Sequence, residues 1–238
     1  MSPKSAATAS TRRVDRPSAT ATRILVVDVG GSHVKALASG GTDRVKIASG
    51  GQMTAALMVC RVRAATQDWH YAAVSLGYPG PVVHGKPVAE PHNLADGWVG
   101  FDFDQAFGCP VRVINDAAMQ ALGSYRRGRM LFLGLGTGLG SALIVDGVVE
   151  PMELAHLPYR KGHTYEHYIG NAGRKRSGNK KWRRRVTDVI TRLKAALLVD
   201  EVVVGGGNAK RLHTLPEGVR PGCNADAFAG GFRLWQTA

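Results

Sequence analysis

Apolar and β-branched positions first gather at Ile24-Leu25-Val26-Val27, run into Asp28-Val29-Gly30-Gly31-Ser32, and resume as Val34, Ala36 and Ala38 in alternation with other residues. A buried run, a glycine turn and an alternating run predict strand, turn, strand. The figure returns at residues 130–135, with Gly136-Thr137-Gly138-Leu139-Gly140 as the turn and residues 142–145 as the returning strand before Asp146-Gly147. Two such hairpins about a hundred residues apart predict two related lobes facing each other. Between them, residues 72–76 read as a short buried strand, and Gly77-Tyr78-Pro79-Gly80-Pro81 reads as loop. Val111, Val113 and Ile114 predict another strand, followed by an alanine-rich helix over residues 117–125 with Asn115 or Asp116 as its cap. Trp182, Val186, Val189, Ile190, Leu193, Ala196 and Leu197 recur at three- and four-residue spacing, which predicts an amphipathic helix. Residues 202–204 predict a strand that stops at Gly205-Gly206-Gly207 with a helix to follow. The alternation of strands and helices indicates an α/β protein.

The 238 residues suit one large domain or two smaller ones about a shared cleft. There is no apolar run of about 18 residues, and the first twenty-odd positions lack a secretory apolar stretch, so a cytoplasmic protein with no membrane partner is expected. Cys60, Cys109 and Cys223 form no C-x-x-C pair, against both a disulfide framework and a cysteine zinc site. Charge sharpens the picture through its position. Residues 1–23 carry five Lys/Arg and one acid, residues 160–185 carry ten and one, and the remainder carries sixteen of each. Residues 1–22 read as a disordered basic tail, because they bury too little apolar surface to offset their ordering entropy. The stretch 174–185 holds Arg174, Lys175, Arg176, Lys180, Lys181, Arg183, Arg184 and Arg185, which fits either a solvated helix face or a site for a polyanion.

Glycine turns between strands let backbone N–H groups surround a phosphate, and this chain has two, plus a third glycine cluster at the end of a strand. It has neither a Walker A pattern nor a G-x-G-x-x-G strand–helix crossover. Asp28, at the end of a buried strand, needs a cation or hydrogen-bond donors; either Mg²⁺, direct or through water, or a turn-capping role satisfies it. Asp116 heads a helix and suits either a cap or a base that accepts a hydroxyl proton. Glu153 and His156 stand three apart beyond the second hairpin, in a position to meet polyol hydroxyls, and the amide of Asn93 can donate to one hydroxyl while accepting from another. His163 and His167 lack a third ligand, so no zinc is assigned.

Together these residues resemble the bacterial sugar kinases of the ROK family, within the actin-like and hexokinase-like ATPases. Asp28-Val29-Gly30-Gly31-Ser32-His33-Val34-Lys35 resembles the family's first phosphate loop, with Ser for Thr. Gly77-Tyr78-Pro79-Gly80-Pro81 with Asn93-Leu94 and Trp98 resembles its sugar loop. Asn115-Asp116-Ala117 resembles the motif of the catalytic Asp, residues 135–140 the second phosphate loop, and Gly205-Gly206-Gly207-Asn208 the nucleotide-side cluster.

The resemblance implies a two-lobed α/β fold of the actin-like ATPase (ribonuclease H-like) kind, each lobe a mixed sheet flanked by helices, with a cleft between. It divides the chain into residues 23–114 and 115–238, the last helix returning to the first lobe. It implies phosphoryl transfer from ATP or polyphosphate to a hexose, glucose O6 first, with Asp116 as base and Asp28 holding Mg²⁺. Donor contacts fall on Gly30, Gly31, Ser32, Lys35, Gly136, Thr137, Gly138, Gly205, Gly206, Gly207 and Asn208. Sugar contacts fall on Asn93, Leu94, Asn115, Asp116, Glu153, His156 and Glu166. A homodimer is also implied. Ala155 replaces the family's glycine between Glu153 and His156, and the Cys-rich zinc segment is missing, which makes the chain similar to the polyphosphate glucokinase branch and implies polyphosphate as the polyanion for the basic stretch 174–185. Two other readings stand beside it: a sugar-responsive regulator on the same fold, and a nucleic-acid-binding protein using residues 174–185.

Overall fold

The structure, a computed structural model, describes residues 23–236. The expected tail at residues 1–22 lies outside the described residues. β1 (Ile24–Val29), β2 (His33–Ala38) and β3 (Val45–Ala48) form an antiparallel meander, and α1 (Ala55–Ala65) then crosses to β4 (Ala73–Tyr78), which runs parallel to β1. A small hairpin, β5 (Val82–Val83) and β6 (Lys86–Pro87), and the short α2 (Phe103–Phe107) precede β7 (Val111–Asn115), parallel to β4. α3 (Asp116–Ser124) follows at once, capped by the Asn115 side chain, which accepts from the Ala118 N–H at 3.1 Å.

The second half repeats the plan. β8 (Arg129–Leu135), β9 (Leu139–Val145) and β10 (Val148–Pro151) form the meander. A two-stranded ribbon, β11 (Pro158–Arg160) and β12 (His163–Thr164), and the helices α4 (Tyr165–Ile169) and α5 (Asn171–Leu197) lead to β13 (Glu201–Gly205), parallel to β8. β14 (Val219–Pro221) closes this sheet and α6 (Asp226–Arg233) ends the fold. The sheet orders are β3-β2-β1-β4-β7 and β10-β9-β8-β13-β14, the same arrangement of two antiparallel and two parallel pairings. The expected relation between the two hairpins therefore extends to whole sheets.

Both sheets are covered on two faces, which is why their parallel strands read as continuous apolar runs. Leu25, Val27 and Val29 face a core with Met58, Val62, Trp98 and Phe103, while Ile24 and Val26 face Met119 and Phe228. Leu131, Leu133 and Leu135 pack on Trp182, Val186 and Ile190 of α5, while Met130 and Phe132 pack on Ala117, Ala118 and Ala121. Thus α3 touches both sheets. It crosses α6 with backbones in near contact: a Cβ at Gly230 would collide with the Met119 carbonyl, and one at Gly123 with that of Asp226. Beyond α6, the Trp235 Nε1–H donates to Ser75 Oγ at 2.8 Å, and that buried hydroxyl donates to the Gly231 carbonyl at 2.6 Å. The Arg112 guanidinium stacks on the Trp235 ring at 4.3 Å and donates to the Leu234 carbonyl. These contacts fasten the last helix to the first sheet.

Three sequence readings need correction. Gly77 and Tyr78 are strand rather than loop, because β1 and β7 offer hydrogen-bond partners on both sides, with Gly77 opposite Asp28 and Ile114. The cluster Gly205-Gly206-Gly207 leads into a single 3-10 turn, Ala209–Arg211, rather than an α-helix. The amphipathic helix begins at Asn171, is interrupted at Gly178 (φ 75°, ψ 158°), and leaves Ala196 exposed. Among the described residues, no helix is long and apolar enough to cross a membrane.

Candidate functional site

The first glycine turn links β1 to β2, and Gly30 closes it by donating to the His33 carbonyl at 3.0 Å. Asp28 and Lys35 face each other across the hairpin register, with Nζ 3.0 Å from Oδ2. Lys35 therefore neutralises Asp28 in this structure, a pairing that the assignment of Lys35 to donor phosphates did not foresee. Gly31 lies against the Asn93 side chain, which is exposed. The loop that carries Asn93 is held by Trp98 and Tyr78, which the motif included, and by Glu90, which it did not signal. The Glu90 carboxylate accepts from the Trp98 and Val99 N–H groups at 3.0 and 3.1 Å. Burial would raise its pKa, but these backbone donors and Gly97 hold it below the ordinary carboxylate range. Trp98, fully buried, donates to the Ala95 carbonyl at 2.9 Å, and the Tyr78 hydroxyl donates to that of Ala89 at 2.7 Å. Leu94 is buried in the first core, so it shapes the loop and presents no side chain to a ligand.

Asp116 stands at the head of α3, and its Oδ1 accepts from the Ala117 N–H at 2.7 Å. Burial, and next the Asp28 carboxylate, push its pKa up to about 7; the backbone hydrogen bonds offset part of this, and Glu153 adds to it. Asp116 is thus a half-neutralised carboxylate near pH 7, close in field to two other acids. Asn115 is committed elsewhere: its amide caps α3 and donates to the Gly80 carbonyl at 3.0 Å. It acts as a bracket between the loop after β4 and α3, which answers the cap question left open by the sequence.

On the opposite sheet, the second glycine turn is closed by Gly136 N–H donating to the Gly138 carbonyl at 3.1 Å. The Asn208 amide, itself buried, donates to the Gly136 carbonyl at 3.1 Å, so the turn and the cluster at residues 205–208 form one surface. Ser141 Oγ donates to the Met152 carbonyl at 3.3 Å and accepts from the Leu154 N–H at 3.1 Å, fixing the segment around Glu153. Glu153 and His156 are exposed, whereas Ala155 is buried. Glu166 is turned to the glycine turn, with Oε2 accepting from the Leu139 N–H at 3.0 Å.

A cavity of about 350 Å³ between β5, β7 and β10 includes Asn115, Ser141 and Glu153 on an otherwise mostly apolar wall. A larger cavity, about 950 Å³, lies at the other end of β4, around Arg63, Trp69, His70 and Phe107, and shares no residue with this site. Among the described residues, no group of three His, Cys, Asp or Glu could enclose a metal ion. α5 starts on the second turn, its Asn171 N–H donating to the Thr137 carbonyl at 3.1 Å, and carries Lys175, Arg176, Lys180, Lys181 and Arg184 exposed along its course. Arg174, Arg183 and Arg185 are partly engaged, with Asn171, the Arg211 carbonyl and the Tyr168 ring respectively. His163 and His167 stack at 4.0 Å beside this helix.

The profile of the ROK family matches residues 24–150. Among curated proteins, polyphosphate glucokinase of Mycobacterium tuberculosis is 27% identical over 206 residues, covering 78% of this chain and 77% of that protein. Polyphosphate glucokinase of Mycobacterium leprae is 27% identical over 235 residues, covering 86% and 71%. Among solved structures, the inorganic polyphosphate/ATP-glucomannokinase of Arthrobacter sp. strain KM is similar with a TM-score of 0.70 at 26% identity, over 88% of this chain and 96% of that one. A ROK family glucokinase from Streptomyces griseus, in complex with glucose and AMPPNP, gives 0.73 at 17% identity over 91% and 100%, a likeness of fold.

Proposed function

Because the chain belongs to the ROK family, and to its sugar kinases, we propose that it transfers the terminal phosphoryl group of ATP or inorganic polyphosphate to a hexose, with glucose O6 as the first acceptor to test. The observation that carries this reading is the seat of Asp116 at the head of α3, directly after β7, with Oδ1 on the Ala117 N–H, where burial and then the Asp28 carboxylate raise its pKa to about 7. A base poised near neutral pH is what removal of a hydroxyl proton needs. Asp116 takes that proton as the hydroxyl oxygen attacks the phosphorus in line with the departing donor oxygen. The rest of the work is alignment and charge balance. Backbone N–H groups of Gly31 and Ser32 on one side, and of Thr137 and Gly138 on the other, converge on the donor phosphates, while those of Gly30 and Gly136 close the turns that present them. Gly205, Gly206, Gly207 and Asn208 border the nucleotide side. Asn93, Glu153, His156 and Glu166 orient the sugar.

Asp28 fits a hydrated Mg²⁺, since that ion is held by one or two carboxylates plus donor phosphates and keeps several waters. When bound it would offset the negative charge of the donor. Lys35 at 3.0 Å then sits where it can share that load. Two features support polyphosphate as one donor: the similarity to the mycobacterial polyphosphate glucokinases, and a basic helix that starts on the second glycine turn. The test is sugar phosphate formation with Mg²⁺ and a panel of hexoses, run with ATP and with polyphosphate, against Asp116→Asn. Product with either donor that falls by a factor of roughly 10²–10⁴ in the variant supports the proposal. Unchanged turnover in the variant removes Asp116 from the mechanism, and no product from any pair removes the kinase.

A further inference from the structure

Glu166 joins two parts of the site that the sequence treats as separate. Its Oε2 accepts from the Leu139 N–H at 3.0 Å, at the end of the second glycine turn. The fit is close, because a Cβ at Gly138 would collide with that same oxygen. Its own N–H donates to the Ala155 carbonyl at 3.1 Å, inside the Glu153–His156 segment. Its carbonyl accepts from the Gly170 N–H at 2.8 Å, and the next residue, Asn171, donates to the Thr137 carbonyl at 3.1 Å. One residue therefore ties the acceptor segment to the donor turn through its side chain and again through its backbone. The helix that carries it is short but well anchored, with Thr164 Oγ1 accepting from the His167 N–H at 3.3 Å. Among the described residues nothing is hydrogen-bonded to the second carboxylate oxygen, Oε1, and the side chain is only half-buried.

We infer that Glu166 is a positioning residue that couples the acceptor to the donor turn, so that hexose and phosphoryl donor strengthen each other's binding. The inference rests on the kinase reading above. A sugar hydroxyl donating to Oε1 fixes the carboxylate, which steadies the Leu139 N–H and with it the turn. Donor binding then meets a turn whose ordering cost has already been met. By linkage the donor raises sugar affinity by the same factor. A side chain that served the sugar alone would not need Oε2 on the opposite turn.

Amide hydrogen exchange at residues 136–139, with and without saturating glucose, tests this directly. Glucose slows exchange there in the wild type and leaves it unchanged in Glu166→Ala. Calorimetric titration with the non-hydrolysable ATP analogue AMPPNP adds a second reading: glucose tightens its binding about 10-fold in the wild type, within the usual range of coupling, and less than about 2-fold in Glu166→Ala. Glu166→Gln keeps a carbonyl acceptor for Leu139, and its NH2 can donate to the sugar hydroxyl oxygen instead of accepting from it, so it should retain part of the coupling, about 3-fold, which a general loss of structure would not. Should Glu166→Ala fail to fold, the wild-type exchange and the Gln variant decide. A variant that loses glucose affinity while keeping both the exchange effect and the 10-fold ratio overturns the inference. A wild type that binds hexose without slowing exchange overturns the coupling alone, whereas one that binds no hexose overturns the kinase reading and the coupling with it.

Discussion

Replacing Asp116 with Asn should separate activity from stability, because the feature that makes this group a useful base also makes it a liability to the fold. An ordinary Asp titrates at 3.8, and here burial and the charges of Asp28 and Glu153 carry it to about 7. Between those values the native chain binds the proton and the unfolded chain does not. Stability therefore falls as pH rises through that window and levels off above 7. Three units at about 1.36 kcal/mol each give an upper bound of roughly 4 kcal/mol of native-state destabilisation at high pH. The remaining contact of Asp116 with solvent lowers the expected figure to about 2 kcal/mol. Asn is neutral throughout and still accepts from the Ala117 N–H, so it relieves the repulsion without undoing the helix head. Against a typical total of about 5–15 kcal/mol this is a readable gain. Urea unfolding of both proteins at pH 4, 6 and 8 should show the variant more stable by about 2 kcal/mol at pH 8, with the difference shrinking toward zero at pH 4. Turnover falls over the same comparison. A variant less stable than the wild type at pH 8, or one whose gain is the same at all three pH values, would refute the electrostatic account.

Three further outcomes are expected. With Asp116 required as the free carboxylate, kcat/KM should fall about tenfold per unit below pH 7, and Glu153→Gln, which removes a charge that raises Asp116, should shift that limb to lower pH in a pH–rate profile. Changing Lys180, Lys181 and Arg184 together to Gln should raise KM for long-chain polyphosphate while leaving KM for ATP within about twofold, and should flatten the salt dependence of the polyphosphate reaction; equal effects on both donors would deny the basic helix a donor role. Trp235→Ala, which removes a half-buried ring stacked on Arg112 and hydrogen-bonded to Ser75, should cost about 2 kcal/mol, below the range for a fully buried Trp. Thermal unfolding monitored by circular dichroism reads that cost.

Glycine, alanine and β-branched residues carried most of what could be read without coordinates. The two hairpins are legible because Gly30-Gly31 and Gly136-Thr137-Gly138 interrupt apolar runs at the same point of the same pattern. Asp116 was legible as a candidate because it follows a strand and precedes an alanine-rich helix, but its displaced pKa is a property first of its burial in the folded chain and then of Asp28 and Glu153 reaching it from elsewhere in the sequence. Gly77 and Tyr78 were misread because local turn chemistry is overruled when strands stand on both sides. Glu90 escaped notice for the opposite reason: a single acid in a loop has no period, and only the folded loop aims three backbone N–H groups at it. The partners of Lys35 and Glu166 were hidden for the same cause, since in each case the hydrogen bond depends on where another turn arrives.

The seating of α6 on β1 and β4 bears on how the chain is made. Ser75 meets Gly231 across 156 positions of sequence, and Val26 lies directly beneath that same glycine. A ribosome releases the first sheet early, yet the face that carries Ile24 and Val26 is covered only in part, by Met119 of α3, until the last helix emerges. The second sheet, whose strands and α5 are contiguous apart from α3, has its covering helix in hand sooner. Contacts at such separation close late and slow folding, and an uncovered apolar face in the meantime is a target for chaperones and for aggregation. A chain truncated before α6 should accordingly be recovered in the insoluble fraction on expression, although every strand of both sheets would be present.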